Sequence, residues 1–528
     1  MNSPHPGVTP EPAVTADGIA NVLSRLDQPV YVVRTPQGIG VSSQPPDDGT
    51  VLVAAVGPLP PESLGSADFR RRHGLRANYM SGAMANGIAS ADLVIALSRA
   101  GYLASFGAAG LLPERIEETL QRFRAEIPDR PLAVNLIHSP SEERLERCAV
   151  DLYCAYEIRC VEASAFMDLT SHIVRYRLAG LRAGSHGVVA DNQVIAKVSR
   201  PEVAAKFLAP APQSIVSELL AAGLITAEQA RLSPAVPMAD AITVEADSGG
   251  HTDRRPLSVL FPTIQRQRDA MPLLPGQRAP VDLGAAGGLG TPEAVAGAFA
   301  LGADYVVTGS INQSCVESGT SPVTRKLLAE AGVADCEMAP AADMFEMGVQ
   351  LQVLRRGTMF PMRARSLYEL YRKYASLEEI PDAERNRLEK QVFRRPISDI
   401  WADVQEYFSR RDPVQLERAA HEPKRRMALV FRWYLGMATR WAVVGDASRA
   451  ADYQIWCGPA MGGFNDWVRG SHLEPPENRH AADVAENLLR GAAYATRINL
   501  LALQGVRLPA TLRRLAPTPL LTPEMSHA

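Results

Sequence analysis

Two side chains carry the clearest chemical potential. His251 closes the run Val244-Glu245-Ala246-Asp247-Ser248-Gly249-Gly250-His251. Two glycines before a histidine let the main chain turn and bring the imidazole into a cleft, and imidazole suits proton transfer near neutral pH. A lone histidine is most often structural; the Gly249-Gly250 setting is what separates this one from His73, His138, His172 and His186. Lys197 sits in the apolar run VIAKVS. An ammonium there is desolvated unless an anion meets it, so a phosphate, a carboxylate or an electron-rich ring edge is its expected partner.

A second set reads as a cradle. Gly284 to Pro292 runs Gly-Ala-Ala-Gly-Gly-Leu-Gly-Thr-Pro, and Val307 to Ser310 runs Val-Thr-Gly-Ser. Gly287, Gly288 and Gly309 let main chain approach a phosphate, with Ser310 beside it, and Thr291-Pro292 opens a helix whose free N–H groups suit an anion. Ordinary tight turns would use the same residues singly; the pair of runs is the stronger signal. Ala83-Met84-Ala85 offers small residues and a soft thioether to a flat ring, and Asn135 an amide that donates and accepts. There is no GxGxxG opening a βαβ unit, no GxxxxGK[ST], no HExxH, no Cys/His cluster for a metal and no GxSxG. A phosphate cradle with flat-ring contacts and no dinucleotide motif suits tightly held flavin mononucleotide (FMN), whose N1/O2 edge is then a third partner for Lys197.

These residues fall at the ends of eight apolar runs: Ala77–Met84, Leu103–Gly107, Leu132–Leu136, Arg159–Ala163, Val194–Val198, Ala241–Ala246, Val281–Ala285 and Tyr305–Thr308. Amphipathic stretches separate most of them, which predicts buried parallel strands covered by helices. Eight strands favour a closed (β/α)8 TIM barrel, α/β in class, over an open doubly wound sheet, and barrel chemistry gathers at the carboxyl ends of the strands. Residues 1–18 are Pro-rich and read as loose; a helix over Ile19–Leu26 and a hairpin about Thr35-Pro36-Gln37-Gly38 complete a small appendage. After Gln313 the strands stop and the chain reads as mainly helical, with all five tryptophans (Trp401, Trp433, Trp441, Trp456, Trp467) as helix-packing core or groove lining. The expected division is 1–70 appendage, 71–364 barrel, 365–444 helical cap and 445–528 returning to the barrel.

Composition narrows the class. The 528 residues are 46% hydrophobic and 21% charged, with 55 basic and 58 acidic side chains giving a net charge of −3. Little disorder is expected, and neither nucleic acid nor a membrane surface is an expected partner without a basic excess. Six cysteines without a CxxC pair predict buried thiols, and no signal peptide or membrane span is read, so a cytoplasmic protein is expected.

With the motifs in this order the chain resembles the nitronate monooxygenase-like flavin barrels, in Ala83-Met84-Ala85, Gly249-Gly250-His251, Gly287-Gly288 and Gly309-Ser310. NYMSGAMANGIAS, NQVIAKVSRPEVA, VEADSGGHTDRRP, GADYVVTGSINQSCVESGTS, LYELYRKYASLEEIP and YQIWCGPAMGGFNDWVRGS are similar to the trans-acting enoyl reductases of polyketide and polyunsaturated fatty acid synthases. The resemblance spans about Leu75 to Gln504. It implies FMN reduced by NADPH, and reduction of an α,β-unsaturated thioester on an acyl carrier protein, hydride going to the β-carbon and a proton to the α-carbon. Lys197 would contact the ring N1/O2 edge and His251 would polarise the thioester carbonyl or take part in proton delivery. Asn135 and Met84 would touch the ring, and Gly287, Gly288, Gly309 and Ser310 would hold the phosphate. A cap over roughly Arg365 to Val444 would exclude water, and Arg372, Lys373, Arg394, Arg395, Lys424, Arg425 and Arg426 would either steer an acidic carrier protein or form a solvated face balanced by Glu384, Glu389 and Asp399. Synthase modules are implied partners, and a homodimer by analogy. Two other readings stay open: a nitronate monooxygenase, and a non-catalytic protein that docks synthase modules.

Overall fold

In the computed structural model, which describes residues 11–138, 143–185 and 187–519, the eight apolar runs close into one parallel barrel. Its strands are, in order, Tyr79–Ser81, Leu103–Phe106, Ala133–Ile137, Cys160–Ser164, Gln193–Val198, Ala241–Glu245, Asp282–Ala286 and Tyr305–Thr308. Each pairs in parallel with its sequence neighbours, and strand eight closes on strand one through Val306↔Tyr79, Val307↔Met80 and Thr308↔Ser81. Strands two and eight are buried at every position, as expected where helices cover the outside and side chains fill the inside.

Local chemistry sets the helices. Pro292–Ala300 starts with Pro at its first position, and the Thr291 hydroxyl accepts the Ala294 N–H at 3.3 Å, satisfying one of the free donors of the first turn. Strand eight is followed at once only by the four-residue helix Ser310–Gln313. The chain then leaves through Pro322–Ala329, and a long helix beside the barrel wall comes with Ala481–Leu503, which packs along Pro292–Ala300 and Ala91–Arg99. A Cβ on Gly491 would lie 2.5 Å from the Pro292 ring, so the two helices touch at main-chain distance.

Between these points lies the insertion. Its helices Phe360–Lys373, Ile397–Arg411, Val414–His421 and Pro423–Val444 pack together. Trp433 and Trp441 meet edge to face at 6.0 Å in that layer, and the Arg395, Arg426 and Arg449 guanidiniums lie over Trp433, Trp401 and Trp441.

Several local expectations need correction. Strands do not stop at Gln313: Cys336–Pro340 and Gln350–Leu354 form an antiparallel pair, and Gly250–His251 adds to its edge. Met, Ala and Pro in the first of these give little intrinsic strand signal; pairing with distant main chain supplies it. A hairpin, Leu181–Gly184 with Gly187–Ala190, precedes strand five. The appendage has a third strand, Leu52–Val56, beside Val30–Thr35, and its helix spans Ala16–Ser24. Residues 11–18 are ordered by it, Ala13 bridging to Val41; the reading of residues 1–10 as loose lies outside the described residues.

Candidate active site

Lys197 is the fifth residue of strand five, and its register brings it between acids of the two flanking strands. Its Nζ lies 3.8 Å from Glu162 Oε1 on strand four and 3.6 Å from Glu245 Oε1 at the end of strand six. Burial works against the ammonium, but Glu245 and Glu162 outweigh it and hold the group up to about 12. Burial pushes Glu245 above the ordinary carboxylate range even beside the lysine. The anion expected to meet Lys197 is therefore present in the protein as two carboxylates.

Glu162 does more than neutralise. Its side chain is fully buried; Oε2 accepts the Ala83 N–H at 2.7 Å, while Oε1 has no hydrogen-bond partner. One carboxylate thus ties the loop after strand one, with Ala83, Met84 and Ala85, to the lysine of strand five. Asn135 stands beside it in register, its Nδ2 donating to the Glu162 carbonyl at 3.0 Å and to Ser164 Oγ at 2.9 Å. These donations leave Oδ1 as the amide's remaining polar face.

His251 lies past the end of strand six, on the two-residue strand that pairs with Gln350–Leu354. Its Nε2 is 3.2 Å from Asp343 Oδ2, and its side chain is 45% exposed, enough to meet a ligand from solvent. Burial alone would lower its proton affinity; Asp343, with Glu245 behind it, raises it above the ordinary histidine value. Of the other histidines, His73 is half-buried with its Nε2 enclosed and is pushed down to about 4, chiefly by desolvation. His138 pairs with Glu146 and His172 with Glu143; His186 lies outside the described residues.

The glycines divide by environment. A Cβ at Gly249 would come within 2.9 Å of Cys457 main chain, at Gly287 within 2.8 Å of the Ala246 and Asp247 carbonyls, and at Gly290 within 2.0 Å of the Ala460 carbonyl. Close packing requires glycine there. Gly288, at φ +74°, and Gly309 have nothing within 4 Å of that position, so their main chain faces open space of the kind a phosphate oxygen needs. Ser310 Oγ accepts the Gly458 N–H at 3.1 Å, which leaves its proton to donate. The fit to FMN rests on these open glycines and on the buried Glu162 Oε1, which faces Lys197 but accepts no hydrogen bond.

Local reading missed several participants. Glu162 and Glu245 could have been found by the logic applied to Lys197, a charge within a buried strand. Asp343 has no local signal, and the segment Trp456–Ala460, which contacts the loops after strands six, seven and eight, lies in the run YQIWCGPAMGGFNDWVRGS that the resemblance marked without giving it a contact. The basic cap residues mostly find partners within the protein: Arg395 with Asp403, Arg425 with Glu346, Arg426 with Glu378, Arg394 with Asp452. Lys424 donates to the Tyr371 and Tyr374 carbonyls, and Lys373 lies over the Tyr374 ring. Of the balancing acids expected, Asp399 acts on Arg395 and Glu384 on Lys373, whereas Glu389 accepts the Ile397 N–H.

A closed parallel barrel with a charged mouth, open-faced glycines after strands seven and eight, and a helical insertion after strand eight defines the class. The family model described as nitronate monooxygenase matches residues 78–370, and the chain belongs to that family. Within it the chain groups with synthase proteins. It is 37% identical to the enoyl reductase domain of MlnA from the macrolactin biosynthesis cluster of Bacillus amyloliquefaciens, with a TM-score of 0.80 over 84% of this chain and 99% of that one. It is 45% identical to a polyunsaturated fatty acid synthase component of a Thraustochytrium species over 93% of this chain and 33% of that one. It is 43% identical to polyketide biosynthesis protein PksE of Bacillus subtilis over 82% of this chain and 56% of that one. The chain thus spans about a third of the Thraustochytrium relative and little over half of the Bacillus subtilis one. Two further models match: a PfaD N-terminal domain over 8–50, and the inserted helical domain of an acyl-carrier-protein S-malonyltransferase over 374–453.

Proposed function

We propose that the chain is an enoyl reductase that uses FMN and NADPH and acts in trans on enoyl thioesters carried by an acyl carrier protein in polyketide or polyunsaturated fatty acid synthesis. The observation that carries the reading is the mouth itself, where Lys197 between two carboxylates and His251 beside Asp343 lie at the strand ends with the bare main chain of Gly288 and Gly309. The likeness to the MlnA domain over nearly its whole length supports it. Gly287, Gly288, Gly309 and Ser310 would hold the phosphate; Ala83, Met84, Ala85, Asn135, Gly249 and Gly250 would bound the ring. When bound, FMN would supply a hydride acceptor and donor.

The chain's own part is electrostatic. Lys197 holds its proton at any working pH and presents a cation fixed by two carboxylates, so its charge costs no reorganisation when negative charge develops nearby. His251, whose protonated form Asp343 favours, can when protonated donate to a thioester carbonyl oxygen or deliver the proton that the α-carbon requires. The insertion would shield the mouth from water.

Purified protein is expected to be yellow and to oxidise NADPH when given a crotonyl thioester. A colourless preparation that FMN cannot reconstitute would overturn the reading. The match to the nitronate monooxygenase model keeps a second reading in play: rapid turnover of alkyl nitronates under air, without NADPH-driven enoyl reduction, would favour it. Unchanged pathway product from His251→Ala and Lys197→Ala variants would instead make docking the sufficient role.

A further inference from the structure

His251 is not positioned by the barrel alone. Its two-residue strand pairs Gly250↔Gln352 and His251↔Leu351, and the Gln352 amide donates to Asp247 Oδ1 at 3.1 Å and to the Ser248 carbonyl at 2.8 Å. The loop after strand six is therefore clipped to the hairpin that follows the barrel. Asp343 lies in the connection of that same hairpin, 3.2 Å from His251 Nε2.

The connection is rooted in the insertion. Phe345, fully buried, meets Tyr368 at 5.4 Å and Phe431 at 6.3 Å edge to face, and Tyr371 at 5.2 Å with the rings tilted. One residue on, Glu346 Oε1 accepts from Arg425 at 2.5 Å and from Arg432 at 3.3 Å, both on the helix Pro423–Val444. Arg432 also acts electrostatically on Asp343.

We propose that Asp343 is the positioning residue for His251, and that Phe345 and Glu346 couple this pair to the helical insertion, so that the cap sets how the imidazole is held. The catalytic part assigned to His251 rests on the function proposed above; the coupling does not. An exposed acid–imidazole pair contributes little to stability. Its consequence is geometric: the acid fixes which nitrogen carries the proton and where it points. The arrangement also makes Glu346 a competitor. While Arg432 is engaged by Glu346, Asp343 stays with His251; releasing Arg432 gives Asp343 a second cation.

The test reads the imidazole directly. Carbethoxylation of the His251 peptide, followed by mass spectrometry across pH in the intact protein, reports the titration midpoint of that ring because only the neutral form reacts. The groups facing it are Asp343, Glu245 with Lys197 behind, and Arg432 through Asp343; Arg200 and Asp253 in the adjoining loop pair with each other. Asp343→Asn is expected to move the midpoint to lower pH, and Glu346→Gln to move it in the same direction by less. Asp253→Asn leaves it in place. An unmoved midpoint in Asp343→Asn overturns the positioning role. An unmoved midpoint in Glu346→Gln, with Asp343→Asn shifted, overturns the coupling to the insertion. In the enoyl reductase assay the basic limb of the pH profile of Asp343→Asn should shift down with KM unchanged; absence of that activity in the unmodified protein sinks the proposed function and leaves the titration result standing.

Discussion

Lys197 shows how a residue's type and its neighbours divide the work. Its presence in an apolar strand demands an anion, and two acids on the flanking strands answer it. Replacing it with Met strands both carboxylates, and breaking a buried ionic cluster in this way costs about 3–5 kcal/mol. The raised value of Glu245 contributes stability that is complete below its unfolded value and lost as pH rises through the folded one, and without the attraction of Lys197 that loss grows. The deficit of Lys197→Met is thus expected to be larger at pH 7 than near pH 5, by urea unfolding. Glu162→Leu removes the acceptor of the Ala83 N–H as well, and should cost about 1–3 kcal/mol. His73 carries the opposite sign. Its value falls from 6.5 to about 4, so its contribution is complete above 6.5 and lost as pH drops through about 4. His73→Phe is expected to flatten the acid limb of the stability profile in that window, an effect of about 3 kcal/mol.

Among the elements, the helix Ala481–Leu503 has the widest reach. It completes the barrel wall and also holds the appendage. Arg497, fully buried, donates to the carbonyls of Leu23, Arg25, Leu26 and Gln28 and has no carboxylate among these partners. A single guanidinium thereby satisfies the carboxyl end of the helix Ala16–Ser24 and the turn after it, a role that needs Arg's several planar donors. Arg497→Met takes away the donor to the Leu23 and Gln28 carbonyls, at about 1–3 kcal/mol each, while the Arg25 and Leu26 carbonyls keep the N–H groups of Gln28 and Leu59. Faster hydrogen exchange confined to 16–56 is the expected signature, and unchanged exchange there would show that the appendage is held by other contacts. The hairpin 336–354 is the counterexample of an element that local propensity does not announce, since its strands exist by pairing with each other and with Gly250–His251.

For the whole molecule, chain order and spatial order part company after strand eight. We propose the division into appendage, barrel, cap and returning segment, with the last supplying the long wall helix that does not directly follow strand eight. A piece ending at 364 would expose the flank of Pro292–Ala300 that Ala481–Leu503 covers, a long apolar stripe. Such a piece is expected to be insoluble or molten by circular dichroism and dye binding, whereas 11–519 should fold. Among the described residues no helix is long and apolar enough to cross a membrane.

Much of this was legible in the chain alone. Eight apolar runs with helices between them dictate a barrel because buried parallel strands need cover on both faces, and strand-end glycines, Lys197 and His251 mark one mouth because barrel topology gathers strand ends. Those are short-range patterns, written within a few residues of each other. What the sequence left open were the partners separated by long stretches of chain: Glu162 for Lys197, Asp343 for His251, the Trp456–Ala460 segment for the loops after strands six to eight, and Ala481–Leu503 for the barrel wall. The Glu162–Lys197 contact follows from the side-by-side pairing of strands four and five; the others depend on where the insertion returns, which is decided by packing area and charge pairing across the folded molecule, and no local periodicity records it.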